Sequence, residues 1–327
     1  MRRVDKGLRR AAALLLAILV MGFGSVGGGT AAAATSEHQL LRMALLPVPD
    51  VLPVYVAEAK GYFKEAGITV EALSVGSAVE RDQLMQAGSI DGMINEVGGA
   101  ALFNREKVQM RIVSYARIPM GDAPLFRVLA APGSTMSGVK DLAGVPVGVS
   151  KNTVIEYISE RLLQAGGVAD KDIVFESVPV LPERLQLLLA GQIKAATLPD
   201  PLGFSALQAG AVEVTNDLRA AALSASVVSF SSASLAAKTE TVKKFMAAWD
   251  KAVADLNADP GSFRTLMLKK IRVPKNVQDT YMVPPFPRAA VPSRTQWDDA
   301  QQWLLDKKLL SGRVSYDDSV TAEFLAK

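Results

Sequence analysis

Two stretches of the sequence, ERDQLMQAGSID (Glu80–Asp91) and ERLQLLLAGQIK (Glu183–Lys194), are nearly the same. Seven of their twelve positions are identical. Each stretch is typical of a helix that ends at a glycine, Gly88 or Gly191, and leads into a buried strand. The repeat therefore predicts two similar α/β units in one chain. Because helix, glycine and strand often follow one another, a chance likeness stays an alternative.

Apolar runs alternate with helical patterns on both sides of each copy. The predicted strands are 40–47, 68–73, 90–94, 108–116, 125–132, 145–150, 172–178 and 193–198. The predicted helices are 51–67, 80–87, 98–106, 139–144, 153–165 and 182–190. Strands that alternate with helices at this spacing predict an α/β fold with parallel sheets covered on both faces.

The first 34 residues have the order of a secretory signal peptide. A basic segment (1–10) precedes an apolar run (11–23) and the small residues 31–34, so cleavage is expected near Ala34. An uncleaved anchor is the alternative, although the run is shorter than a spanning helix needs. Without residues 1–34 the chain has 31 basic and 32 acidic residues. This balance gives no basic footprint for nucleic acid.

The chain contains no cysteine and one histidine, His38. The missing cysteine excludes thiol catalysis and cysteine-ligated metal sites, and it excludes a diacylated lipoprotein. A histidine so close to the end of the exported chain is a poor candidate for a catalytic triad or a metal ligand. We therefore expect no catalytic residue, metal or cofactor, and a binding protein instead of an enzyme. Acid–base catalysis by Asp50 and Glu96 is the enzymatic alternative.

Candidate binding residues follow the predicted strands, because ligands of open α/β sheets bind beyond the carboxyl ends of the strands. Several of these residues are also helix N-caps, and a cap that only serves its helix is the alternative for each. The candidates are Asp50, Ser77, Asn95, Glu96, Arg117, Ser150, Asn152, Thr153, Glu156 and Asp200.

Four phrases of the sequence resemble one family of proteins. They are AEAKGYFKEAGITVE, AGSIDGMI, VKDLAGVPVGVS and LLLAGQIKAATLPDP. The chain is similar to the periplasmic solute-binding proteins of ABC importers, in the branch that binds nitrate, sulfonates, taurine and thiamine-pyrimidine precursors. The resemblance covers residues 38–325. It implies a two-lobed periplasmic-binding-protein-like (type II) fold with a hinge and an interlobe cleft.

The resemblance also implies a domain layout and partners. The signal peptide is 1–34, the first lobe 38–120 plus 222–327, and the second lobe 121–221. The expected protein is a periplasmic monomer that binds a small solute and docks on an ABC permease with its ATPase.

Charge in the expected cleft bears on the ligand. Helix N-termini favour an anion such as a sulfonate or nitrate. However, Asp50, Glu96, Asp200 and Glu156 outnumber Arg117 and Lys151 among the cleft candidates. Carboxylates favour an amine or a pyrimidine-like solute with N–H donors. The sulfonate or nitrate alternative holds if the acids point outward.

Two amphipathic helices are expected near the C-terminus, at 241–260 and 296–310. Their tryptophans, Trp249, Trp297 and Trp303, are predicted to pack in the core instead of stacking on a ligand. The proline-rich segment 281–293 between the helices is predicted to be irregular.

Overall fold

The structure is a computed structural model that describes residues 39–326. The predicted signal peptide and His38 lie outside these residues. The described part contains two five-stranded sheets and the helices that pack on them.

Sheet I has the strand order β2-β1-β3-β10-β4. Its strands are β1 Leu40–Leu45, β2 Thr69–Ser74, β3 Gly92–Glu96, β4 Met110–Arg117 and β10 Ser226–Ser231. Strands β1, β2 and β3 pair in parallel, whereas β10 runs antiparallel to both β3 and β4.

Sheet II has the corresponding order β7-β6-β8-β5-β9. Its strands are β5 Phe126–Ala130, β6 Pro146–Val149, β7 Val174–Ser177, β8 Ala195–Pro199 and β9 Val212–Asn216. Here β6, β7 and β8 pair in parallel, and β5 runs antiparallel to β8 and β9.

The helices follow the strands in chain order. They are α1 Leu52–Ala59, α2 Tyr62–Glu65, α3 Ala78–Gln86, α4 Val97–Phe103, α5 Val154–Ala165, α6 Leu181–Leu189, α7 Leu202–Gln208, α8 Ser232–Ala237, α9 Thr239–Ala258, α10 Arg264–Lys270, α11 Arg294–Asp306 and α12 Tyr316–Ser319. Among the described residues, every helix is too short or too polar to cross a membrane. Residues 281–293 lie outside helices and strands, as predicted.

The prediction that all strands are parallel is wrong for β5 and β10. The chain passes from sheet I to sheet II through residues 118–125, and it returns through 217–225. The strand that follows each passage enters its sheet beside strands that run in the opposite direction. The sequence pattern reports that a strand is buried, but it does not report its direction.

Glycines end the two repeated helices as predicted. Gly88 follows α3 with φ 67°, and Gly191 follows α6 with φ 68°. The single helix predicted for 51–67 is instead two helices, α1 and α2. They are separated at Gly61, whose φ of 78° interrupts the helical path.

The two passages between the sheets are tied together by Asp217. Its carboxylate accepts hydrogen bonds from the Leu125 backbone N–H at 3.0 Å and from the Ser224 hydroxyl at 2.6 Å. Asp217 is fully buried, and this burial raises its pKa to about 6. The hydrogen bonds from Ser224 and Leu125 act in the opposite direction but are outweighed.

Candidate functional site

A cavity of about 180 Å³ lies where helices of both sheets meet helix α11. Helices α3 and α4 come from the sheet I side of the chain and α5 from the sheet II side. The residues used below are Arg81, Asp82, Glu96, Asn152, Thr153, Tyr157 and Trp303, all of which line the cavity. Three independent parts of the chain therefore form one site.

The sheet I wall carries a buried arginine between two carboxylates. Arg81 is 2% exposed. Its Nε donates to Asp82 Oδ1 at 2.9 Å, and its Nη2 lies 3.3 Å from Glu96 Oε2. Burial opposes the charge of Arg81, but Glu96 and Asp82 outweigh it and raise the pKa of Arg81. With two carboxylates against one guanidinium, this wall has an excess of negative charge.

The sheet II wall is the start of α5. The Thr153 hydroxyl caps this helix, since it accepts from the Ile155 backbone N–H at 3.1 Å. Asn152 precedes the cap with a left-handed backbone, φ 61°. Its N–H donates to Glu156 Oε2 at 2.5 Å. The start of α5 therefore lies at the cavity, and its N–H groups at Asn152 and Ile155 are already bonded to Glu156 and Thr153.

The third wall is aromatic. Trp303 of α11 packs edge-to-face on Tyr157 of α5, with ring centroids 5.6 Å apart. The Tyr157 hydroxyl donates to Asp299 Oδ2 at 2.6 Å. Burial, followed by the hydrogen bond to Asp299, strongly raises the pKa of Tyr157, so this phenol stays neutral. The contact holds α5 and α11 together beside the cavity.

Three of the predicted site residues line this cavity: Glu96, Asn152 and Thr153. Two others lie next to it. Ser77 caps α3 by accepting from the Glu80 N–H at 3.1 Å, and Glu156 supports Asn152.

Two further predicted residues hold the frame of the sheets. The side chain of Asn95 is buried and accepts from the Ser229 hydroxyl at 2.7 Å. Ser150 donates to the Pro179 carbonyl at 3.2 Å and accepts from the Arg184 guanidinium. These bonds connect β3 to β10 and the residue after β6 to α6.

The remaining predicted residues gather beside the passages between the sheets. Arg117 Nη1 lies 3.4 Å from Asp50 Oδ1, and its Nη2 donates to the Pro124 carbonyl at 2.8 Å. Asp200 receives Nε and Nη2 of Arg127 at 2.8 and 3.1 Å. None of these residues belongs to the lining of the described cavity.

Arg81, Tyr157 and Trp303 are cavity residues that the sequence did not single out as binding candidates. Arg81 lies in the repeated stretch, and its identity with Arg184 in the second copy is the sequence signal that could have identified it. Trp249 and Trp297 are buried as predicted. Trp303 is also only 3% exposed, but part of it faces the cavity.

A curated relative that matches the chain is the riboflavin-binding protein RibY of Chloroflexus aurantiacus. It is 25% identical over 252 residues, which are 72% of this chain and 67% of the relative.

Several solved structures share the fold. The periplasmic aliphatic sulphonate binding protein SsuA from Escherichia coli has a TM-score of 0.73 and 15% identity, over 86% of this chain and 92% of that chain. The alkanesulfonate-binding protein SsuA from Xanthomonas axonopodis pv. citri, bound to MOPS, has a TM-score of 0.68 and 18% identity over 86% and 98%. The expected periplasmic-binding-protein fold is therefore confirmed.

The family whose description reads "NMT1/THI5 like" matches residues 48–262 of the sequence. This range includes nine of the ten described strands, β2 to β10, and the helices α1 to α9. It also includes two of the three cavity walls. Because the match spans well over half of the sequence, the chain belongs to the NMT1/THI5-like family.

Proposed function

We propose that this chain is an extracytoplasmic receptor that captures a small organic solute between two lobes and delivers it to the permease of an ABC importer. The observation that carries the proposal is that a single cavity is walled by helices of both sheets. A solute bound there touches both halves, so its binding energy favours their closure. The family and the fold are those of binding proteins, which supports capture instead of catalysis.

In this proposal the first lobe comprises 38–120 and 222–327, and the second comprises 121–221. The passages 118–125 and 217–225 form the hinge. The receptor works as an exported periplasmic monomer with a permease and its ATPase as partners. Asp50 and Glu96, the acid–base alternative, each face a different arginine, which supports a role without catalysis.

The solute we favour is amine-bearing or pyrimidine-like. Asp82 and Glu96 together exceed the charge of Arg81, and carboxylates accept from amine and ring N–H donors. Riboflavin, which the curated relative is named for, contains a pyrimidine-type ring with such a donor. The cavity of about 180 Å³ is many times larger than the space that one water molecule needs, so it has room for a small organic solute.

A sulfonate or nitrate is the second candidate. The start of α5 supports it, since Asn152 and Thr153 bring a helix N-terminus to the cavity. The two sulfonate-binding structural neighbours point the same way. Against it stand the two carboxylates of the opposite wall, because their negative charge repels an anion.

A thermal-shift screen of residues 35–327 tests the proposal. The panel contains pyrimidines, thiamine, riboflavin, amines, amino acids, alkyl sulfonates and nitrate. A solute that binds only the folded chain raises the melting temperature by mass action. A shift with a heterocycle or an amine supports the favoured solute, and a shift only with sulfonate or nitrate supports the second. If nothing in the panel shifts the transition at millimolar concentration, the proposed solute classes are wrong.

A further inference from the structure

Lys307, Glu156 and Asn152 form a continuous line of contacts from the end of α11 to the cavity. Lys307 Nζ lies 3.2 Å from Glu156 Oε1. The other carboxylate oxygen, Oε2, accepts the backbone N–H of Asn152 at 2.5 Å. One oxygen of Glu156 thus faces the C-terminal helix and the other faces the cavity wall.

The bond to Glu156 fixes the backbone of Asn152. Its φ of 61° lies in the left-handed region, which asparagine adopts more often than most residues but at a higher cost than glycine. A charge-assisted hydrogen bond from its N–H to a buried carboxylate compensates for that cost. The side chain of Glu156 is only 7% exposed, so water competes weakly for this bond. The shape of the wall at Asn152 therefore depends on where Glu156 is held.

Lys307 holds Glu156 as part of a wider contact between α5 and α11. Its Nζ also lies 2.8 Å from Glu160 Oε2 and sits 5.5 Å from the centre of the Trp303 ring. Burial opposes its charge, but Glu160 and Glu156 outweigh it and raise the pKa of Lys307. One turn before Trp303 on α11, Asp299 accepts from the Nε of Arg161 at 2.9 Å. Ion pairs thus stand on both sides of Trp303.

We propose that Lys307 is a positioning residue for the cavity, which holds Asn152 in its left-handed conformation through Glu156 when the two lobes close. The inference rests on the proposed function, because α5 and Lys307 belong to different proposed lobes. When the lobes part, Lys307 leaves Glu156, and the wall at Asn152 loses its support. Closure and the final shape of the site are then one event.

The test uses the full chain without any solute and follows two quantities. The first is the hydrogen-exchange rate of the Asn152 amide. The second is the distance between two labels at Val79→Cys and Val180→Cys. These positions are 66% and 53% exposed and lie in different proposed lobes. Labelling is specific because the natural chain has no cysteine.

Lys307→Met is the test variant and Lys307→Arg the variant that keeps the charge. Lys251→Met is the matched control, since Lys251 pairs with Glu65 at 3.6 Å on an exposed surface. We expect Lys307→Met to speed exchange at Asn152 by about tenfold or more, because the opening that exposes this amide becomes easier. We also expect it to lengthen the label distance. Lys307→Arg and Lys251→Met should behave like the parent.

Unchanged exchange at Asn152 in Lys307→Met would overturn the inference. Faster exchange with an unchanged label distance would overturn the coupling to closure. Glu156→Gln serves as a second variant, because it keeps an acceptor for Asn152 while it removes the attraction to Lys307. Circular dichroism verifies that each variant is folded. Neither quantity involves a solute. A failure of the proposed solute classes is therefore distinguishable from a failure of the proposed role of Lys307.

Discussion

Arg81 and Arg184 donate the same hydrogen bond from equivalent positions of the repeated helices. Arg81 Nη1 donates to the Ile94 carbonyl at 3.0 Å, and Arg184 Nη1 donates to the Thr197 carbonyl at 2.8 Å. In both cases the acceptor follows 13 residues later in the sequence. Both guanidinium groups are buried, with exposures of 2% and 0%. The repeat in the sequence thus preserves a buried arginine that ties a helix to the next strand.

The two arginines differ in their counter-charges. Arg81 has Asp82 and Glu96, whereas Arg184 has the Val178 carbonyl and the Ser150 hydroxyl. Burial without a carboxylate lowers the pKa of Arg184 to about 10. Burial of a cation without a counter-ion costs desolvation free energy. Removal of Arg184 relieves this cost, which offsets part of the stability lost with its hydrogen bonds.

We therefore expect Arg81→Met to destabilise the chain more than Arg184→Met. Loss of Arg81 leaves two partly exposed carboxylates side by side, at a cost of about 2–3 kcal/mol, below the range for fully buried pairs. Loss of Arg184 removes hydrogen bonds and an unpaired charge together, at about 1 kcal/mol. Urea unfolding of the parent and both variants measures the difference. Equal losses would show that the carboxylates add nothing to Arg81.

Replacing Glu96 by Gln should change which solutes bind. The carboxylate is an acceptor with a full charge at the cavity, and charged hydrogen bonds contribute about 1.5–3 kcal/mol. An amine or ring N–H solute should bind roughly tenfold or more weakly, since 1.4 kcal/mol is tenfold. An alkyl sulfonate should bind more tightly. Calorimetric titration with the hits of the solute screen measures both.

Glu71→Gln is the control for Glu96→Gln. Glu71 pairs with Arg42 at 3.2 Å on the exposed edge of sheet I and is not part of the cavity lining. Its replacement should leave every affinity unchanged. If Glu96→Gln also changes none, the sheet I wall does not contact the solute.

Asp217 predicts a stability that depends on pH. Its pKa is raised to about 6 in the folded chain, against about 3.9 when unfolded. The charged form is therefore disfavoured in the fold, and the penalty grows as the pH rises from 4 through 6. A difference of about two pKa units between the folded and unfolded chain corresponds to a loss of at most about 3 kcal/mol in the free energy of unfolding. Relative to the parent, Asp217→Asn should gain about this much stability between pH 4 and pH 7, measured by urea unfolding.

Asp141 serves as a control, because its pKa is shifted in the opposite direction to that of Asp217. It is exposed, and the backbone N–H groups of Ser137 and Gly138 lower its pKa. Its carboxylate therefore stabilises the fold above pH 4 and loses that effect in acid. Asp141→Asn should lose stability relative to the parent as the pH rises. A parallel pH response of the Asp217 and Asp141 variants would contradict the assignment of Asp217.

Gly88 and Gly191 should respond alike to substitution. Both have a positive φ, 67° and 68°, and an added Cβ would meet nothing within 4 Å at either site. The cost of alanine is then backbone strain alone, about 1–2 kcal/mol at each position. Gly76→Ala is the control, because Gly76 has no left-handed φ and its nearest contact is 3.5 Å away. Melting curves of the three variants test this. A stable Gly88→Ala variant would mean that the helix ends differently.

The sequence predicted the fold well because local signals repeat in it. Alternating apolar runs marked the strands, and Gly88 and Gly191 marked where α3 and α6 end. The direction of β5 and β10 was not predictable, because a buried strand has the same apolar pattern in either direction.

Only part of the cavity lining could be predicted from the sequence, because the residues that form it lie far apart along the chain. Asp50 and Asp200 follow strands and Arg117 ends β4, but the strand order places all three beside the passages between the sheets. Strand order is not written in a local pattern. Tyr157 and Asp299 are separated by 142 residues, so their contact leaves no local signal. Trp303 has the same helical pattern as a core tryptophan.

Helix α11 lies beyond the residues that match the family, which end at 262, yet it forms the third wall of the cavity. The two sheets and the aromatic wall of the cavity are thus partly separate stretches of the sequence. In the proposed receptor, substitutions in α11 would change the aromatic wall of the cavity while the residues of both sheets stay as they are. A replacement of α11 would also have to keep Asp299 and Lys307, because these two residues pair with Tyr157, Arg161, Glu156 and Glu160 of α5.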